Sequence, residues 1–276
     1  LTSLISWAAK DSHGISAIYI ASDSRLTWQD GSTWDQGGKV FASKTHSEIL
    51  GYCGDVLFIS QVLFRIVDQI DCGLLFAKNA DPLTKLLRIL AQLNNSFRDY
   101  PHPVKNSNII YCTKDTTRFR FFEFCLEEQN GKPVWNYLEK TLDLDGITKH
   151  QTTGNAQVVG VYGTGTDNFK NLHMLAEKND FGRSSRGIFA CFCDAISNGI
   201  DIYSGGAPQL VGIYRNGKAN AFGIIYNSER FLSGIKVSSD LIWDAIEWRN
   251  NNFERMNGET LQIQEGAQRQ PRGNYS

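Results

Sequence analysis

Asp201-Ile-Tyr-Ser204-Gly205-Gly206 and, far upstream, Ser22-Asp23-Ser24-Arg25 are the two stretches on which the reading of this chain turns. Taken by itself, the first is a plain turn between a helix and a strand beginning near Pro208, with a glycine pair that permits close backbone approach. The second closes a β-rich run, Ile15 to Ser22. Another run, Leu4 to Lys10, precedes it across the polar cluster Asp11-Ser12-His13-Gly14, which reads as a hairpin turn. A strand therefore starts almost at the first residue.

Working outward, Lys39 to Ala42 and Glu48 to Cys53 read as two further strands, interrupted by Gly54-Asp55. Val56, Ile59, Leu63, Ile66, Val67 and Ile70 recur at three- and four-residue steps and predict a helix closed by Gly73. Asp81-Pro82, a capping residue followed by proline, opens a second helix with the stripe Leu83, Leu86, Leu87, Leu90 and Leu93. Strands follow at Ser107 to Cys112, Thr117 to Leu126, Val134 to Leu138 and Ala156 to Tyr162, then helices near Asn168 to Glu177 and Arg186 to Ser197. Pro208 to Tyr214 and Ala219 to Ile225 flank the turn Arg215 to Lys218. Leu241, Ile242, Ala245, Ile246 and Trp248 predict a last helix, Asp240 to Phe253, and the polar segment beyond Met256 is expected to be flexible. Helices segregated in pairs between groups of strands suit antiparallel sheets with helical outer layers.

The chain has 276 residues, 28 basic against 29 acidic side chains, a formal net charge of -1 and 41% hydrophobic content. That length supports a core without disulfides or a structural metal. The neutral balance, with no basic stripe, argues against nucleic acid as a partner. The apolar runs are shorter than the ~18 residues of a membrane span, so no membrane partner is expected. The first residues, Leu1 to Trp7, lack the pattern of a secretory signal, and a cytoplasmic location is the expectation. Six scattered cysteines suit reduced, buried thiols. No Gly-x-Ser-x-Gly elbow, Walker loop or His-Glu-x-x-His motif is present, and Gly163-Thr-Gly165-Thr lacks the Lys-Ser/Thr of a phosphate loop.

In order, Thr2, Ser22-Asp23-Ser24-Arg25, Lys39-Val40, Gly51-Tyr-Cys-Gly54, Gly163-Thr164-Gly165 and Asp201 to Gly206 resemble the β subunits of the 20S proteasome and their bacterial ring-protease relatives, within the N-terminal nucleophile hydrolases. The likeness runs from Thr2 to about Ile225. It implies an α+β fold, a four-layer αββα sandwich of two antiparallel sheets. The domain it implies covers residues 1–235, with residues 236–276 as a C-terminal helix and polar tail.

The same resemblance implies a threonine-type endopeptidase that needs no cofactor and no metal. A threonine hydroxyl is a poor nucleophile without a base beside it, and the α-amine of Thr2 serves as that base once it is free. By the resemblance, Lys39 places a positive charge next to Thr2 and Asp23 holds Lys39. Taken alone, those two residues are an ordinary salt bridge between strands. Asp201 and Ser204 match positions that orient the amine. Gly54 matches the glycine whose N–H meets the oxyanion, although by itself it is simply a glycine that opens a helix. Arg25 is expected to be structural.

Thr164 stands where the family usually has serine, keeping the hydroxyl and adding a methyl. Leu1 precedes Thr2, and while attached it converts the α-amine into an amide. Two other functions follow from these features: a catalytically silent ring or scaffold subunit, and an amidase of the same superfamily acting on small amides. Expected partners are a polypeptide or peptide substrate, further copies in a homo-oligomeric ring, and an ATP-dependent unfoldase.

Overall fold

The computed structural model describes residues 2–116, 118–141, 156–178, 180–238, 243 and 245–267. In chain order the elements are strands β1 (Ser3–Asp11), β2 (Gly14–Ser22), β3 (Leu26–Thr27), β4 (Thr33–Trp34), β5 (Val40–Ala42) and β6 (Glu48–Cys53), then helices α1 (Val56–Asp71) and α2 (Pro82–Arg98). Strands β7 (Asn108–Lys114), β8 (Phe119–Gln129), β9 (Lys132–Lys140) and β10 (Ala156–Gly163) lead to helices α3 (Thr166–Ala176) and α4 (Ser185–Ser197). The chain continues through β11 (Gln209–Tyr214), β12 (Ala219–Tyr226), β13 (Glu229–Leu232), β14 (Ile235–Lys236), β15 (Trp248–Asn250) and β16 (Arg255–Met256).

These strands form two main sheets. The larger runs β10-β1-β2-β11-β12-β13-β14, with β15 also paired to β12 and β16 to β15; the smaller runs β5-β6-β7-β8-β9. Every named pairing is antiparallel except β12 with β15.

Both faces of the inner strands are buried, and the two-residue period of a strand divides their side chains between separate cores. Leu4, Ile18 and Ile20 turn to one side, where they meet Ile49, Ile110 and Phe121 of the smaller sheet. Ile5, Trp7 and Tyr19 turn to the other and pack with Phe189 and Phe192 of α4. Trp7 and Tyr19, opposite each other in register, stack with ring centroids 5.0 Å apart, and the Trp7 indole donates to Ser185 Oγ at 3.0 Å. On the far side of the smaller sheet, Leu50, Tyr111 and Phe124 pack with Phe58 and Leu63 of α1 and Leu86 and Ile89 of α2. A buried side chain of this size contributes about 1.5–3 kcal/mol, so these three contact layers are the main apolar stabilisation.

The helix caps follow from sequence. Asp55 accepts from the Phe58 N–H, and Asp81 accepts from the Leu83 and Thr84 N–H groups with Pro82 at the first turn. The inward face of α2 differs from the expected leucine stripe. Leu83 and Leu87 are exposed, and the buried positions include Lys85, Leu86, Ile89 and Leu93. Lys85 turns inward because Glu48 receives its ammonium at 2.7 Å, which rotates the helix away from a purely apolar face.

The expected helix from Asp240 to Phe253 is not found in the described part of that stretch: Trp248 to Asn250 form β15, parallel to Gly223 to Ile225. The reason is steric. A Cβ on Gly223 would lie 2.3 Å from the Trp248 ring, so this glycine opens the slot that the indole fills, and Trp243 and Ile225 close around it. Residues after β15 fold back through β16 and a bridge from Met256 to Ile263, so the expected polar tail is anchored as far as that bridge. The remainder of the predicted helix and of the tail lies outside the described residues. Among the described residues no helix is long and apolar enough to cross a membrane. The six cysteines form no disulfide, and Cys72 is exposed where a buried thiol is expected.

Candidate active site

The site gathers at the end of the larger sheet where β1 begins. Thr2, fully buried, precedes Ser3, which pairs with Gly163 of β10, while Leu4 pairs with Ser22 of β2. Gly163 has φ +89°, and a Cβ there would lie 1.8 Å from the Thr2 carbonyl oxygen. Only glycine allows β10 to leave the sheet this close to Thr2.

At the end of β2, Asp23 is fully buried and accepts four hydrogen bonds. Oδ1 receives the Ser3 N–H at 3.0 Å and Lys39 Nζ at 2.8 Å; Oδ2 receives the Arg25 N–H at 3.0 Å and the Gly205 N–H at 3.1 Å. Lys39 Nζ also donates to the Arg25 carbonyl at 2.6 Å. Burial pushes the Lys39 ammonium below the usual lysine range, and Asp23 opposes that shift. The nearby Cys53 thiol is pushed up to about 11 by burial, which leaves it a protonated core group rather than a nucleophile at neutral pH.

Across the site, Asp201 Oδ2 accepts from Thr164 Oγ1 at 2.8 Å and from Ser204 Oγ at 2.7 Å. Ser204 Oγ lies 2.7 Å from Ser3 Oγ, so the segment of Asp201 to Gly206 reaches β1 by side chain and reaches Asp23 through the Gly205 N–H. Arg25 clasps Asp35 with two hydrogen bonds, 2.7 and 2.9 Å, and donates to the Ile202 carbonyl at 3.1 Å. It fastens the loop from outside, the structural part expected of it.

Five of the seven candidate residues thus fall into two linked groups, Asp23 with Lys39 and Thr164 with Asp201 and Ser204, and both groups lie beside the segment that begins at the sixth, Thr2. Gly54 joins them less directly. It follows β6, two residues beyond Tyr52, whose N–H donates to the Lys39 carbonyl at 3.1 Å, and its φ of +105° turns the backbone toward α1. Leu1 lies outside the described residues.

Two participants escaped sequence reading. Ser3 is one. Gln209 is the other: buried at the start of β11, it accepts from the Lys39 N–H at 3.1 Å and donates to the carbonyls of Asp23 at 3.0 Å and Gly37 at 2.6 Å. The available signal was a lone amide at the start of the apolar run Gln209-Leu-Val-Gly-Ile-Tyr. Among the described residues no group of three or more His, Cys, Asp or Glu is placed to hold a metal ion.

The fold, with its mixed helices and antiparallel sheets, is similar to that of a solved structure. That structure is a Gly-1 mutant of Anbu from Hyphomicrobium sp. strain MC1. It is 14% identical, with a TM-score of 0.50 over 87% of this chain and 89% of that one. Eukaryotic HslV from Trypanosoma brucei aligns less well, with 13% identity and a TM-score of 0.44 over 76% of this chain and 99% of that one. No protein-family model and no curated protein matches the chain.

Proposed function

We propose that the chain is a proteasome-like threonine endopeptidase on a four-layer αββα sandwich, ordered α3/α4, larger sheet, smaller sheet, α1/α2. The observation that supports this most is the convergence on Asp23: one buried carboxylate holds the residue after Thr2, the Lys39 ammonium and the loop that carries Ser204.

With the α-amine of Thr2 freed of Leu1, that amine takes the Oγ proton as Oγ attacks a peptide carbonyl. The ammonium of Lys39 disfavours a second positive charge nearby and so favours the neutral form of the amine. Oxygen charge in the tetrahedral intermediate is met by the Gly54 N–H. Collapse returns the proton to the departing amine and leaves an ester on Thr2, which water hydrolyses with the same amine as base. Asp201, Ser204 and Thr164 orient the amine by accepting hydrogen bonds from it.

On this reading the chain assembles into a homo-oligomeric ring in the cytoplasm and acts on polypeptides or peptides delivered by an ATP-dependent unfoldase. Intact-mass measurement of the purified protein, with and without a threonine-directed epoxyketone, tests the chemistry. The expected result is a chain that begins at Thr2 and carries one inhibitor adduct, the adduct being absent in Thr2→Ala. Turnover of fluorogenic peptides by Thr2→Ala at the parental rate overturns it.

A further inference from the structure

We infer that Ser3 is a positioning residue for Thr2, the head of a directed hydroxyl chain that joins the two halves of the site. This rests on the peptidase reading and adds to it a residue that neither motif contains.

The direction of the chain follows from counting protons. A serine hydroxyl has one proton to donate. Ser204 Oγ gives its proton to Asp201 Oδ2 at 2.7 Å, so the 2.7 Å contact between Ser3 Oγ and Ser204 Oγ is a donation from Ser3. Thr164 Oγ1 gives its own proton to the same Asp201 oxygen at 2.8 Å. Three hydroxyls therefore have their protons committed, and their lone pairs remain as acceptors around the start of β1. An ammonium or amine at Thr2 is a donor that this arrangement suits.

The backbone of Ser3 is equally committed. Its N–H goes to Asp23 Oδ1 at 3.0 Å, and its carbonyl accepts from the Asp23 N–H at 3.2 Å and from Ser22 Oγ at 3.1 Å. One residue thus contacts the Asp23–Lys39 pair through its backbone and the Asp201–Ser204 pair through its side chain. The fold also reserves space for this hydroxyl: a Cβ on Gly165 would lie 1.8 Å from Ser3 Oγ and 3.2 Å from Asp201 Oδ2. Glycine at 165 leaves that space to Ser3 Oγ.

A hydroxyl that positions the nucleophile affects the chemical step, and one that only fills space affects stability. Steady-state kinetics on a fluorogenic peptide, with thermal melts of each protein, separate the two. Ser3→Ala is expected to lower kcat about tenfold with KM within about twofold, and Ser3→Thr, which keeps the hydroxyl, to stay within about threefold of the parent. Ser204→Ala breaks the same contact from its other end. Its loss and that of Ser3→Ala are expected not to add in the double variant, because both act through one chain. Additive losses, an unchanged kcat in Ser3→Ala, or equal losses in Ser3→Ala and Ser3→Thr overturn the inference while leaving the peptidase standing. A parent protein inert to both peptide and epoxyketone overturns the peptidase reading and this inference with it.

Discussion

Asp23 with Lys39 and Glu48 with Lys85 are two buried lysine–carboxylate pairs of nearly equal length, 2.8 and 2.7 Å, in which all four residues are almost wholly removed from solvent. They differ in what surrounds the carboxylate. Asp23 is held by backbone N–H groups from three separate segments, at Ser3, Arg25 and Gly205. Glu48 is held by side chains, Lys85 and the Tyr111 hydroxyl at 2.5 Å, and burial pushes its carboxyl above the usual range. The first pair gathers chain segments around Thr2. The second fastens α2 to the smaller sheet through Lys85, with Phe76 lying over the ammonium at 5.9 Å. A buried ion pair is therefore weak evidence for a site, and convergent backbone donors are what set the first pair apart.

Removing one member of each pair should separate their roles most strongly. Lys39→Ala is expected to lower kcat/KM by roughly a thousandfold or more, since groups acting as a unit fail together, and to cost about 3–5 kcal/mol by leaving Asp23 buried and unpaired. Peptide kinetics and urea unfolding read the two effects. Lys85→Ala is expected to lose a similar ~3–5 kcal/mol while kcat per folded molecule stays unchanged, and an activity loss in that variant would erase the distinction.

Replacing Glu48 and Lys85 together with leucine, and Tyr111 with phenylalanine, should be close to neutral or stabilising by ~1–4 kcal/mol, with activity kept. The same treatment of Asp23 and Lys39 should abolish turnover whatever it does to stability.

The smallest effect lies on the alkaline side. Lys39 has a folded pKa lowered by burial, so between that value and the ordinary lysine value near ~10.4 the unfolded chain binds a proton that the folded chain has released. Its contribution to stability therefore rises with pH across that window, while turnover by the proposed peptidase, whose mechanism uses the ammonium, is expected to fall. A pH series of melts and initial rates on the parent protein checks for opposite slopes.

Most of the layered core was legible in sequence because its signals are local. Asp11 to Gly14 forms the expected hairpin, and Asp55 and Asp81-Pro82 cap the helices as such residues should. The C-terminal segment was not, because the feature that makes Trp248 part of a strand is Gly223, a residue in a different element. A helical spacing of apolar residues is satisfied equally by a cluster that packs Trp243 against Trp248. The site divides the same way: Asp23, Lys39, Asp201 and Ser204 sit in distinctive motifs, whereas Ser3 and Gln209 matter only through partners far away in the chain.

That separation bears on how the protein comes into being. Ser3 and Ser204 touch although 201 positions separate them, and β2 has no neighbour on its second edge until Gln209 to Tyr214 pair with it. Contacts so distant in sequence form slowly, after long loops have closed. A ribosome that has delivered β1 and β2 has made a chain whose first threonine still lacks Asp201, Ser204 and Gln209. On the peptidase reading the order of synthesis thus acts as a safety catch: the candidate site comes together only after Gln209 has emerged, and a copy halted before that point lacks half of it.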